Sequence, residues 1–272
     1  MKFLSVIIPT YNRPSKLSRL LCSLSKSDSI NVIVIDDGSD FVHAKNNEKI
    51  CSDFGVHYKF IDNSGPSKAR FEGLCLSKTQ LSMFVDCDDL VSPQIFEICA
   101  RLFSENKTID LITFKSTVLN PEDMNEPTLF NTSDSNYIKS SHFNSSFYRA
   151  CIEILSLSIR ASSGWNQSNT VYRTTFIKNV YKVWSLAWAE DIPLKVSLAL
   201  VAKSISVRSP CFSYVERSYG RGFSYRFEDV LALSKNLFTL PNNYILGLIF
   251  FIISFSRFSI SLFVKKLSSF YR

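Results

Sequence analysis

Val32-Ile-Val-Ile-Asp-Asp-Gly-Ser39 is an apolar run that stops abruptly on two acids and a glycine. Four β-branched residues in a row suit a strand buried on both faces, and Asp-Asp-Gly-Ser is turn chemistry. The same arrangement recurs on either side. Upstream, Phe3–Ile8 is a short apolar run that gives way to Pro9, Thr10, Tyr11 and Asn12. Downstream, Val56–Ile61 leads into Asn63-Ser-Gly-Pro66, and Leu81–Val85 leads into Asp86-Cys-Asp-Asp89. Leu111–Phe114 predicts a fifth strand.

Between these runs the period changes. Pro14 suits a first helical turn, and Leu17, Leu20, Leu21 and Leu24 follow at one-face spacing. A second helical segment runs from Pro66 to Leu76, and a third opens near Ser92-Pro93 with Ile95, Phe96, Ile98, Cys99 and Leu102 apolar. This alternation predicts an α/β fold, with a mainly parallel, Rossmann-like sheet flanked by helices. Such sheets bind ligands at the carboxyl ends of their strands, near a switch in strand order. All four polar clusters fall on that rim.

Beyond the fifth strand the pattern weakens. Residues 119–145 are polar and aperiodic, a surface excursion; a helix is expected over Phe147–Ser163, then an aromatic region to Trp188. Glu190-Asp191 open an apolar helix through Leu194, Val196, Leu198 and Leu200. One catalytic domain over residues 1–230 and a basic amphipathic helical tail over 231–272 account for the whole pattern. In the tail, Tyr244–Phe255 is apolar for only 12 residues, below the ~18–20 that span a bilayer. Lys265, Lys266 and Arg272 lie beyond it, as in a helix resting on an anionic leaflet. A C-terminal core helix is the plainer alternative.

The formal charge is +7 over 272 residues, and no acid follows Asp229. The basic excess therefore sits partly in the apolar tail, which favours a membrane surface over nucleic acid; no aromatic-interleaved basic stripe is present. The seven cysteines are scattered, with no Cys-x-x-Cys pair, so neither a disulfide framework nor a zinc site is indicated. Cys22 and Cys99 read as small buried side chains in a reducing, cytoplasmic compartment. Phe3–Ile8 ends at Pro9 too soon for a signal peptide.

Asp86-x-Asp88, with Asp89 beside it, suits a hard divalent cation; Mg²⁺ or Mn²⁺ fits because no His or Cys pattern accompanies it. A capped turn is the bland alternative. A carboxylate such as Asp37 can accept the imide N–H of uracil, although a plain strand–helix turn has the same sequence. Arg13 and Arg70 can reach phosphate or base, or remain solvated surface charges. Glu190 and Asp191 suit a helix start, or alternatively a base for an acceptor hydroxyl in the neighbourhood of Trp184 and Trp188. His43, His57 and His142 form no catalytic set with a serine.

Together the pieces resemble glycosyltransferase family 2, with its GT-A fold. They are Ser5–Asn12, Val34–Ser39, Asn63–Arg70, Phe84–Asp89, Trp165-Asn166, Val171–Arg173 and Ala189–Asp191, in that order. The resemblance implies an inverting transferase acting on a UDP-sugar. Pro9, Thr10, Asn12 and Arg13 would line the donor nucleotide, Asp37 would read uracil, and Arg70 would sit near base or phosphate. Asp86 would hold the ribose, and Asp88, helped by Asp89, the cation. Asp191 would be the general base, with Glu190 and Trp165 on the acceptor. The family's late His ligand is absent after His142, and so is the Gln-x-x-Arg-Trp motif of processive relatives. Single-sugar transfer is therefore expected. The tail extends the resemblance to bacterial enzymes of O-antigen or capsule synthesis, which act on polyprenyl-diphosphate-linked saccharides at the cytoplasmic face of the inner membrane. Two other readings stand beside it. A nucleotidyltransferase making nucleotide sugars would carry a Gly-rich loop where Thr10-Tyr-Asn-Arg-Pro14 stands. A catalytically dead membrane-bound scaffold would bind nucleotide without turnover.

Overall fold

The computed structural model describes residues 2–25, 27–120, 122–123, 139–144, 167–183, 191–209 and 213–216. Two compact units divide the chain: Met1–Ser145 with Gly164–Val183 and Ala202–Ser218, and Ser146–Ser163 with Trp184–Val201 and Tyr219–Arg272. The helix expected over Phe147–Ser163 and the tail over 231–272 lie outside the described residues.

The first unit is built on a sheet with strand order β3-β2-β1-β4-β9-β6-β10-β8. Its strands are β1 (Leu4–Thr10), β2 (Ile30–Asp37), β3 (His57–Ile61), β4 (Leu81–Phe84), β6 (Leu111–Phe114), β8 (Lys139–Phe143), β9 (Thr170–Arg173) and β10 (Ser204–Ser209). Pairings β1–β2, β2–β3, β1–β4 and β6–β10 are parallel. Strand β9 runs antiparallel to both β4 and β6, and β8 runs antiparallel to β10. The expected mainly parallel α/β sheet is present, with two reversed strands. A smaller sheet pairs β5 (Leu90–Val91), β11 (Ser213–Glu216) and β7 (Ser116–Leu119) in the order β5-β11-β7.

The continuous apolar run of β2 is explained by burial on both faces. Val32 and Val34 belong to the large core that includes Leu17, Leu20, Leu21 and Leu24 of helix α1 (Pro14–Leu24). Ile33 and Ile35 point the other way, against Ala69 of helix α3 (Pro66–Leu76). Each such side chain withdrawn from water contributes about 1.5–3 kcal/mol. Helix α4 (Gln94–Glu105) adds Ile95, Phe96, Ile98, Cys99 and Phe103 to the large core. Cys22 corrects its expectation: it is exposed, whereas Cys99 is buried. The leucine stripe of α1 occupies its buried face, and Cys22 falls off that stripe.

Helix α3 packs onto β1 through Gly73, where a Cβ would lie 2.3 Å from Ile7 Cγ2. Helix α2 (Phe41–Asp53), capped by Asp40 accepting from the His43 N–H at 3.0 Å, joins β2 to β3. A short helix α5 (Thr174–Val180) follows β9. Among the described residues of the second unit is helix α6 (Asp191–Val201), which has Leu194, Val196 and Leu198 buried, as its apolar sequence predicts. No described helix is long and apolar enough to cross a membrane.

Candidate active site

Strand β1 is the point at which the strand order turns. The chain adds β2 and β3 on one side of it and β4 on the other. In α/β sheets the crevice at this switch is the usual ligand site. Here β1 and β4 pair only from Leu4↔Leu81 to Ile7↔Phe84, and the Val85 N–H closes the ladder on the Ile7 carbonyl at 3.0 Å. Two residues later stands Pro9, on the β4 side of the strand. A residue with no N–H fits where the neighbouring strand has already turned away.

The loop after β1 is clasped to the loop after β2. Asn12 has φ 54°, which asparagine tolerates better than most residues. Its N–H donates to Ser39 Oγ at 2.8 Å, and its Oδ1 accepts from the Asp40 N–H at 2.9 Å. Asn12, expected to line the nucleotide, thus has a framework task in the free protein. Asp36 has another: wholly buried, it accepts from the Ser39 N–H (2.9 Å), Asn47 Nδ2 (2.8 Å) and the Tyr58 hydroxyl (3.0 Å).

Asp37 turns towards the rim. Its Oδ1 accepts from the Ser64 N–H at 2.8 Å, and its carbonyl accepts from Asn63 Nδ2 at 2.9 Å. Burial raises its carboxyl above the ordinary value; the Ser64 and Gly65 N–H groups oppose the rise and neighbouring Asp36 adds to it. Gly38 makes this approach of two loops feasible. Its φ is 77°, and a Cβ there would meet Asn63 N at 2.6 Å.

At the end of β4, each acid of Asp86-x-Asp88 faces an arginine. Arg70, on α3 and 4% exposed at its side chain, donates from Nη2 to Asp86 Oδ1 at 2.6 Å. Arg13, from the loop after β1, donates from Nη1 to Asp88 Oδ2, with its side chain 40% exposed. Burial alone would lower the Arg13 pKa, but Asp88 and Cys87 together outweigh it and the net shift is upward. Arg19 Nη2 holds the Asp88 carbonyl at 2.7 Å. Asp86 N–H donates to Ser168 Oγ at 3.0 Å, and the Asp89 N–H closes the turn on the Asp86 carbonyl at 2.9 Å. Asp89 itself is buried.

Cys87 lies between the two acids, and burial, reinforced by Asp88, pushes its thiol up to about 12. The donors at this turn are therefore carboxylate oxygens rather than a thiolate, and they fit a hard cation such as Mg²⁺ or Mn²⁺. Among the described residues no group of three or more His, Cys, Asp or Glu side chains gathers to hold a metal.

Thus Pro9, Thr10, Asn12, Arg13, Asp37, Arg70, Asp86, Asp88 and Asp89 belong to adjoining strand ends and helix α3 of one unit. Asp191 opens α6 in the other unit. Trp165 and Glu190 lie outside the described residues. Reading the sequence missed Arg19, Ser64 and Ser168, which hold Asp88, Asp37 and Asp86. A serine in a turn or an arginine on a helix flank carries no distinguishing signal.

The sequence matches the family model described as Glycosyl transferase family 2 over residues 5–156, more than half of the chain. The chain belongs to glycosyl transferase family 2. Within that family it is 27% identical over 233 residues to poly(ribitol-phosphate) beta-N-acetylglucosaminyltransferase TarS of Staphylococcus aureus (strain MW2), covering 82% of this chain and 37% of that protein. The chain thus spans little more than a third of that curated relative. Among solved structures, S. aureus TarS 1-349 in complex with UDP-GlcNAc superposes with a TM-score of 0.64 at 20% identity, covering 94% of this chain and 72% of that one. The mannosyltransferase PcManGT from Pyrobaculum calidifontis, in complex with GDP-Man and Mn2+, gives 0.53 at 13% identity over 86% and 62% of the two chains. These likenesses establish the GT-A type of fold for this family 2 chain.

Proposed function

We propose that this chain transfers a single sugar from a UDP-sugar to an acceptor hydroxyl, with inversion and with Mg²⁺ or Mn²⁺ as helper. The observation that carries the reading is that Asp37 ends β2 on one side of β1 while Asp86 and Asp88, held by Arg70 and Arg13, follow β4 on the other. Asp37 is held by backbone N–H groups and is short of water; a uracil imide N–H would return the hydrogen bond it loses on burial. Arg70 and Arg13 supply guanidinium forks for phosphate or ribose-side contacts. Asp86 takes ribose hydroxyls, and Asp88, next to Asp89, is the residue to hold the cation. When bound, the cation stabilises charge developing on the departing diphosphate. Asp191 takes the proton from the acceptor hydroxyl as its oxygen attacks the anomeric carbon, with Glu190 and Trp165 on the acceptor. The UDP-GlcNAc complex of TarS and the Mn2+ complex of PcManGT support this donor and this cation.

For the acceptor, residues 1–230 act on a lipid-linked saccharide of a bacterial surface polysaccharide such as O-antigen or capsule. Residues 231–272 rest on the cytoplasmic leaflet. The likeness to TarS favours a second acceptor, a poly(ribitol-phosphate) chain. The deciding experiment is calorimetric titration of UDP with and without Mn²⁺, followed by transfer assays on both acceptor types. Cation-dependent binding that disappears in Asp88→Ala supports the reading. Absence of binding in either condition sinks it. Asp191→Asn is expected to keep UDP binding and lose transfer.

A further inference from the structure

The two arginine–aspartate pairs at the end of β4 differ in one physical respect. Arg70 projects from a helix, and its side chain is 4% exposed. It is fixed by its surroundings. Arg13 lies in the loop between β1 and α1, as the residue preceding Pro14, and its side chain is 40% exposed. Its guanidinium is less enclosed than that of Arg70. Its partner Asp88 is 28% exposed at the side chain, and this is the acid assigned to the cation. Arg13 therefore occupies one of the two Asp88 oxygens that a divalent ion would use.

A guanidinium held on a carboxylate opposes a cation arriving at the same group, since the two positive charges repel and compete for the same oxygens. A released guanidinium also needs a new anion. The nearest candidate is the diphosphate that arrives with the cation, and arginine's planar fork matches phosphate oxygens well. We infer that Arg13 guards Asp88 in the donor-free protein and hands it to the cation on moving to the diphosphate, so that cation and nucleotide bind as a coupled pair. This inference rests on the donor-site reading above. It goes further by giving Arg13 opposite effects on the two ligands: it opposes the cation alone and favours the diphosphate.

Arg19 provides the control. It carries the same charge close to the same turn, yet bonds the Asp88 carbonyl and leaves the carboxylate alone. The test is titration of the intact protein with Mn²⁺ alone, followed by electron paramagnetic resonance of the free ion, and then with UDP added. Arg13→Met, in which Asp88 is no longer guarded, is expected to bind Mn²⁺ alone roughly five- to tenfold more tightly than wild type. UDP affinity in the presence of Mn²⁺ should fall in the same variant. Arg19→Met should stay within about threefold of wild type for Mn²⁺. Arg13→Lys, which keeps a charge without the fork, should fall between wild type and Arg13→Met. Thermal melting of each variant checks folding.

Mn²⁺ affinity in Arg13→Met within about threefold of wild type overturns the guard. Equal tightening in Arg19→Met overturns it too, because diffuse charge would then be the cause. A wild-type protein that binds UDP and Mn²⁺ with no mutual enhancement defeats the inference and leaves the donor site standing. No UDP binding under any condition sinks both.

Discussion

The ends of β2 and β4 look alike on paper: each strand closes on acids spaced one or two apart. Their fates differ. At β2, Asp36 is wholly buried and answered by a backbone N–H, an amide and a hydroxyl, all neutral donors built into the framework. At β4, Asp86 and Asp88 keep 37% and 28% of their side chains exposed, and each is answered by a cation. Internal donors tie a carboxylate down. A charged partner that other ions can replace keeps it available. Asp37 stands between these cases, buried like its neighbour yet turned to the rim.

Substitutions can break or sharpen this contrast. The largest effect belongs to Asp88→Asn, expected to lower transfer about 10²–10³-fold, the usual loss when one charge-stabilising group is removed. Its melting temperature should barely move, because a half-exposed ion pair contributes about 0–1 kcal/mol. Near-normal turnover would erase the distinction between the two clusters. Asp36→Ala should show the reverse, costing about 3 kcal/mol in urea unfolding as three donors lose their acceptor. A loss below about 1 kcal/mol would remove Asp36 from the framework.

Gly38→Ala should cost about 2 kcal/mol, from the left-handed backbone and the contact with Asn63. It should also weaken UDP binding by shifting the Asp37 loop; intact UDP affinity would separate the two loops' roles. The smallest effect concerns pH. The folded carboxyl of Asp37 sits above its ordinary 3.8, so the folded protein holds this proton more firmly than the unfolded chain. Its contribution is complete below that ordinary value and is lost as pH rises through the folded value. Asp37→Asn should flatten that part of the stability profile, read as the difference from wild type. Superimposable profiles would mean that Asp37 is not desolvated.

Much of this could be read from residue types. Strands β1, β2, β4 and β6 announced themselves as apolar runs because the sheet's faces are covered there, and α1 and α4 through their apolar stripes; β3, at the sheet edge, has no fully buried residue. Helix α2 gave no sign: only Asn47 and Cys51 are buried along it, while Phe41 and Val42 face water. Strand β10, Ser-Ile-Ser-Val-Arg-Ser, and the short β5, β7 and β11 depend on partners far along the chain. The acids of the site were legible from their strand-end positions. Their partners were not, since Arg13 and Asp88 are 75 residues apart and meet only once β4 is laid beside β1.

The reversed strand β9 carries a consequence for how the protein is made. Strands β3, β2, β1 and β4 all lie within the first 84 residues and can pair as the chain leaves the ribosome. Strand β6 follows soon after, but it has no place beside β4; the slot between them belongs to residues 170–173. Until those residues are synthesised, β4 and β6 each present an open edge. The nascent donor half must wait with that edge uncovered while residues 85–169 are made.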